Sequence, residues 1–444
     1  MVVVKTGKSE AGARAASSHT AALAADTAIW RGVFRQAGIV EVASGQELLD
    51  AARALDGHPL PAGPRVAIIT NSGGVGVELS DLLADEGLVV PALSAPLQDT
   101  IRAMLPPFAS PANPVDVTPV WSRFAELYPA LTDLLARSGE VDVVVPVLLQ
   151  RAALDAKTAA GIRDVVAGLR GDDVPVPVHV CWVAPRDARP NADLLQDAGV
   201  PCFDWPARTA RAIGHARRYA VARARTTPAA TAPSVRSGPT PTDPVRAAEL
   251  LAELGVDTAP STLCRTADEA VAAATAFPVV VKLAEAAHRT ELGGVRLDLA
   301  DSAEVEAAAT ELLQQGPVLV QRQLSGVEIA IGGVRDPVFG PVVMVGLGGI
   351  WVEVLGDVAF AMAPLHRAEA RSLLESLRGA ALLTGARGGP SVDLDALADV
   401  VVAAGNLLLA FPDVVELDLN PVLATAGSAV AVDWKIGVAP RYGP

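Results

Sequence analysis

The apolar positions of this chain fall into short continuous runs separated by stretches of helical period. That is the pattern of strands buried on both faces between helices. Val2-Val-Val-Val-Lys5 reads as such a strand, followed by a helical stretch near 21–37. Arg65-Val-Ala-Ile-Ile-Thr70 is another, running into Asn71-Ser-Gly-Gly-Val-Gly76 and a helix pattern through Leu83, half of a βαβ unit. A run at 141–149, a helix period at 154–169, a strand at 176–183 and helices at 191–198 and 208–221 repeat the theme. Residues 225–244, mostly Thr, Pro, Ala, Ser and Gly, have no period and predict a linker. Beyond it, strands at 279–283, 318–321 and 327–331 alternate with helices at 268–276 and 304–315. The pattern predicts an α/β fold with two parallel-sheet domains, at 1–120 and 121–224, then the linker and a larger domain at 245–444.

Composition narrows the function classes. The chain has 444 residues, 51% hydrophobic and 19% charged, enough to bury a large core. A formal net charge of −14 argues against a general nucleic-acid or anionic-membrane binder, which needs a basic face, but leaves a local phosphate site open. Three scattered cysteines (Cys181, Cys202, Cys264) suit neither a disulfide framework nor a zinc site, so a cytoplasmic setting is expected. Lys5 and Lys8, with no apolar stretch between them, predict no secretory leader. The longest apolar stretch, 341–365, contains Glu353, Asp357 and four glycines, and reads as buried sheet and turn rather than a membrane span.

Against this background a few residues carry candidate chemistry. Glu416-Leu-Asp418-Leu-Asn420-Pro alternates with period two, so on a strand Glu416, Asp418 and Asn420 share one face and the leucines enter the core. The run 430–436, which contains Asp433, could pair back as a hairpin. Oxygen ligands from two adjacent strands suit Mg2+, and a solvated strand face ending in an Asn-Pro turn is the other reading. Lys282 sits in Phe277-Pro-Val-Val-Val-Lys-Leu with apolar neighbours on both sides, as one of five lysines against 31 arginines. A cation there either reaches a phosphate or carboxylate, or snorkels from the sheet edge. His288, before Gly293-Gly294, and His19, in Ser17-Ser18-His19-Thr20, are candidate phosphoryl acceptors or ordinary surface and capping histidines. The turn containing Ser72, Gly73 and Gly74 opens a helix, where free N–H groups and the helix dipole favour an anion.

The segment from Lys8 through Ser17-Ser-His19-Thr resembles that around the phosphorylated histidine of ADP-forming acyl-CoA synthetases, relatives of succinyl-CoA synthetase. Val66–Gly76 and Asn113-Pro-Val-Asp116 resemble the next motifs of that family, and Phe277–Leu297 the start of its ATP-grasp domain. Asp336-Pro-Val-Phe-Gly-Pro341, Gly346-Leu-Gly-Gly349 and Glu416–Pro421 continue the series in family order. The resemblance implies two succinyl-CoA synthetase-like, flavodoxin-like domains, the first with the phosphohistidine loop, followed by an ATP-grasp domain. It implies an acid–thiol ligase that interconverts acyl-CoA, ADP and phosphate with a carboxylic acid, CoA and ATP. His19 would take a phosphoryl group and His288 pass it to ADP. Lys282, Gln321 and Glu328 would bind nucleotide, Ser72, Gly73 and Gly74 phosphate, and Asn420 with Asp433 Mg2+.

Several positions depart from the family. The chain opens at the strand before the His19 motif, so it is expected to lack the N-terminal CoA-binding domain and to need a separate CoA-binding subunit. Ala21-Ala follows His19-Thr where glycine is commoner; Arg289 replaces a lysine, Glu291 an aspartate, and Trp182-Val-Ala-Pro-Arg a Gly-rich turn. An oligomer is expected, with no nucleic-acid or membrane partner. The alternative function is a catalytically reduced nucleotide-binding regulator related to the synthetase-like part of protein acyltransferases.

Overall fold

The structure, a computed structural model, describes residues 1–9, 11, 12, 14, 27–224, 230–284, 293–349, 356–389 and 391–439, without the side chain of Arg387. Chain contacts divide it into two compact units: Met1–Thr6 with Ala37–Thr226, and Gly7–Gln36 with Thr227–Pro444.

In the first unit, β1 (Val2–Val4) and β2 (Val40–Val42) pair in parallel, Val2 opposite Val40. A separate parallel sheet contains β3 (Val66–Thr70), β4 (Val115–Asp116), β5 (Val143–Leu149), β6 (Val180–Val183) and β7 (Cys202–Asp204) in the order β4-β3-β5-β6-β7. This is the flavodoxin-like order, with its switch point between β3 and β5. Both faces are covered, which explains why the strands read as unbroken apolar runs. Ala67 and Ile69 pack with the helices Phe124–Arg137 and Ala156–Gly171, whereas Val66 and Ile68 pack with Gly73–Asp85 and Pro206–Ala224. The division expected at residue 120 runs through this one sheet, because β3 pairs directly with β5, Val66 opposite Val143. The helix Phe124–Arg137 is the crossover that carries the chain from β4 past β3 to β5.

The second unit contains β8 (Asp257–Thr258), β9 (Ser261–Cys264), β10 (Val279–Leu283), β11 (Val295–Leu299), β12 (Val318–Arg322), β13 (Val327–Asp336), β14 (Gly340–Leu347), β15 (Val358–Met362), β16 (Val414–Ala424), β17 (Ala429–Ala431) and β18 (Lys435–Val438). They form a four-stranded sheet, β11-β10-β12-β9, and a seven-stranded sheet, β15-β14-β13-β16-β17-β8, with β18 also on β16. The helices Ala267–Ala273 and Ser302–Leu312 cover the small sheet; Arg367–Glu375 and Leu394–Ala410 cover the large one. The helix Thr27–Gln36 also belongs here, seated on β15 through Ile29 and Val33.

The expected linker begins outside the described residues at 225–229. From 236 onward it is fastened to the second unit: Arg236 N donates to Ala410 O at 2.8 Å and Thr240 Oγ1 to Asp413 Oδ1 at 2.6 Å. Among the described residues no helix is long and apolar enough to cross a membrane.

Candidate functional site

All five residues of β10 are buried, Lys282 among them at 4% exposure. The side chain does not snorkel. Its Nζ donates to Val432 O at 2.6 Å, lies 3.5 Å from Asp433 Oδ1 and sits 5.5 Å from the Trp434 ring. Val432 to Trp434 connect β17 to β18, so a lysine from the small sheet reaches the rim of the large one. Such a cation is stable only with oxygen partners, and here it has a carbonyl and a carboxylate.

The β16 hairpin follows the alternation in the sequence, with Leu417 and Leu419 buried and Glu416 exposed. On β16, Val422 stands opposite Ala431 of β17 and Asp418 opposite Lys435 of β18, and its pairing with β13 shifts register between Leu419 and Val422. Asn420 thus lies on β16 next to Pro421, whose carbonyl accepts from Val432 N at 3.0 Å, and Asp433 follows Val432 in the connection between β17 and β18. The Asn420 Oδ1 is buried and has no hydrogen-bond partner among the described residues. The Gln321 Nε2 is equally without one; Gln321 is buried on β12 opposite Val280, so it shares with Lys282 one face of the small sheet. Buried polar atoms without a protein partner are left open to a ligand, an ion or water.

Asn420 Oδ1 and the Asp433 carboxylate are hard oxygen donors, and they fit Mg2+, a cation usually held by one or two protein oxygens plus substrate phosphates. Among the described residues no group of three or more His, Cys, Asp or Glu converges, so no all-protein metal cage is present there. Glu328 lies exposed at the start of β13, and its carbonyl accepts from Gly348 N at 2.7 Å. Gly348 and Gly349 leave room for it: a Cβ on Gly348 would collide with the Glu328 backbone, and one on Gly349 with the Glu328 carboxylate. His19 and His288 both lie outside the described residues.

The glycine turn stands at the carboxyl end of β3. Thr70 Oγ1 donates to Ser72 O and accepts from Ser72 N, both at 3.0 Å. Asn113 ties the turn's neighbours together, accepting from Ile68 N and donating to Val66 O and Pro91 O. The Asp116 carboxylate lies beside Gly73 and accepts from Thr118 N at 2.8 Å. The Tyr128 hydroxyl is 3.0 Å from Asn71 Oδ1 and 2.8 Å from Val147 O, and burial pushes its pKa well above the usual value, so it stays a neutral donor. The helix Gly73–Asp85 starts with Gly73 and Gly74 exposed and with no side-chain cap from Ser72. Its first N–H groups are therefore available to an anion.

Sequence reasoning passed over a cavity at the same edge of this sheet, near Trp121, Arg151 and Trp205. Four separate segments build it, and its only trace in the sequence was the replaced Gly-rich turn at 182–186. Of the other histidines, His179 is fully buried against Phe203, and His366 caps the helix Arg367–Glu375.

Three domain families match the sequence in series. A succinyl-CoA ligase-like flavodoxin domain matches residues 1–55, a Ligase-CoA domain 66–228, and an ATP-grasp domain 235–438. Over 205 residues the chain is 36% identical to the ADP-forming acetate–CoA ligase I β subunit of Pyrococcus furiosus, covering 43% of this chain and 88% of that one. The chain belongs to the ADP-forming acetate–CoA ligase family. It is also 32% identical over 471 residues to the ADP-forming acetate–CoA ligase I of Archaeoglobus fulgidus, covering 98% of this chain and 66% of that one. With the ADP-forming 4-hydroxybutyrate–CoA ligase of Nitrosopumilus maritimus it shares 28% identity over 461 residues, 95% of this chain and 64% of that one. The chain thus spans slightly under two thirds of the length of these two ligases.

Proposed function

We propose that the chain is the phosphoryl-transfer part of an ADP-forming acid–CoA ligase. It interconverts acyl-CoA, ADP and phosphate with a carboxylic acid, CoA and ATP. The observation that carries this is the buried Lys282, brought to Asp433 beside two orphaned polar atoms, Asn420 Oδ1 and Gln321 Nε2, inside an ATP-grasp domain. Lys282 neutralises nucleotide phosphate, Gln321 offers its amide N–H to the base, and Glu328 binds on the opposite sheet. Asn420 and Asp433 would hold Mg2+, which would supply charge neutralisation to the nucleotide phosphates.

In the relay the γ-phosphorus–oxygen bond of ATP breaks, ADP leaves, and a nitrogen–phosphorus bond forms on His288, then on His19. The first N–H groups of the helix opening at Ser72, Gly73 and Gly74 hold the phosphoryl group of His19. The acyl half uses a CoA-binding partner; one of the relatives is itself a subunit of a larger ligase. A purely regulatory role is not favoured, since the relatives that match along the chain are named as ligases.

Incubation of the chain with Mg2+ and γ-labelled ATP tests this. Acid-labile, base-stable label is expected, and excess EDTA should prevent it. A wild-type chain that takes up no label removes the proposal.

A further inference from the structure

The carboxyl edge of the five-stranded sheet holds more than the glycine turn. The segments after β4, β5, β6 and β7 line an open cavity of about 810 Å³, within the range of small-molecule sites. Its apolar walls come from Trp121, Leu154, Val183, Pro185 and Trp205, and Arg151 supplies a cation. Both indoles are largely exposed, Trp121 at 55% and Trp205 at 63%. A single exposed apolar side chain needs no explanation, but two indoles facing one cavity form an apolar patch that does.

The cation is set for a ligand rather than for the fold. The Arg151 guanidinium stacks on the Trp121 ring at 4.0 Å and has no ion pair or side-chain hydrogen bond among the described residues. Stacking occupies a face of the guanidinium and leaves its N–H rim open, the geometry that receives a carboxylate. The one acid in the wall, Asp155, is already spent: its carboxylate accepts from Lys157 N at 3.2 Å and Thr158 Oγ1 at 2.7 Å, capping the helix Ala156–Gly171. The backbone is also held in unusual conformations here. Gln150 and Trp205 have φ of 34° and 70°, a left-handed region that strains a non-glycine residue and that clusters at ligand sites.

We propose that this cavity binds the organic acid, and that it selects an aromatic carboxylic acid. The ring lies against the two indoles and the Leu154, Val183 and Pro185 wall, and the carboxylate meets the Arg151 rim. The flat apolar walls reward an aryl group, and the single open cation rewards a monoanion. Acetate would use only the cation and leave the walls wet. The cavity lies outside the carboxyl ends of strands beside the switch point, the usual place for a ligand in an open α/β sheet. That the bound acid is a substrate rests on the ligase function proposed above; the binding itself does not.

The test titrates the full chain with benzoate, following tryptophan fluorescence and heat. Saturable benzoate binding is expected, with acetate failing to compete at equal concentration. Arg151→Gln should weaken benzoate at least about tenfold, the loss of one charge-assisted contact, while leaving benzyl alcohol unaffected. Trp121→Ala should weaken both ligands, and Arg163→Gln, a half-buried helix residue paired with Asp164 and outside the cavity wall, neither. An unchanged thermal midpoint and circular dichroism spectrum in Arg151→Gln would show that its effect is local. Three results overturn the proposal: no saturable benzoate binding, equal affinity in Arg151→Gln, or displacement of acetate and benzoate alike by AMP with the higher affinity. Labelling by ATP is read separately. A chain that binds benzoate but takes no label loses the ligase function and keeps the aromatic-acid site; a chain that takes label but ignores benzoate does the reverse.

Discussion

Lys282 shows how a buried charge is made tolerable and useful at once. Its ammonium is 4% exposed and is held by a carbonyl and the Asp433 carboxylate, so its charge is fixed in place before any ligand arrives. Lys282→Met keeps the length and apolar stem and removes the charge. Calorimetry should show the Kd for Mg2+–ATP rising at least about tenfold with circular dichroism unchanged; an unaltered Kd would take Lys282 out of the nucleotide site. A second buried base acts on stability. Burial lowers the pKa of His179 to about 3, and burial with the adjacent Arg170 charge lowers that of His58 to about 4. The unfolded chain takes up these protons near the ordinary value of 6.5, whereas the folded chain refuses them. Stability is therefore complete above pH 6.5 and is lost as pH falls towards 4, with His179 alone contributing up to about 2 kcal/mol at pH 5. Melting at pH 7.5 and 5.0 should show a smaller drop in His179→Phe than in wild type, and equal drops would contradict this. Lys282 and the Glu416–Asn420 alternation were legible because buried charge and period two are local signals. Trp121, Arg151 and Trp205 were not, since only the sheet brings loops so far apart in sequence to one edge.

Among the elements, the helix Thr27–Gln36 is joined to the large sheet by a backbone-scale contact. A Cβ on Gly32 would overlap the Phe360 carbonyl, so only glycine permits this approach. Gln36 closes the free edge of β15 with both ends of its amide, accepting from Met362 N at 2.8 Å and donating to Met362 O at 3.0 Å. Gly32→Val should release the helix at a cost of about 1–3 kcal/mol, and hydrogen exchange should show the Met362 amide losing protection. Protection equal to wild type would show that the contact is dispensable. The helix was legible from its period, but its partner was not, because amphipathicity says that a face is covered and never by what. The same limit explains the boundary expected at 120. Strand and helix periods were visible, but the pairing of β3 with β5 is a long-range choice that leaves no mark on either strand.

At the scale of the molecule, the three family domains follow one another along a chain that spans slightly under two thirds of two ligases that resemble it. The proposed phosphoryl steps and the proposed acyl steps can be separated by experiment. Alone, the chain is expected to exchange phosphoryl groups with ADP and ATP; acyl-CoA formation should appear when a CoA-binding subunit is added. Acyl-CoA formed at the same rate without that subunit would refute the division. The order proposed for the relay, ATP to His288 to His19, is tested by a pulse of γ-labelled ATP followed by an ADP chase. His19→Ala should take up acid-labile label and return it to ADP as ATP, while His288→Ala should take up none. Label on His288→Ala, or label on His19→Ala that ADP cannot discharge, would contradict the account.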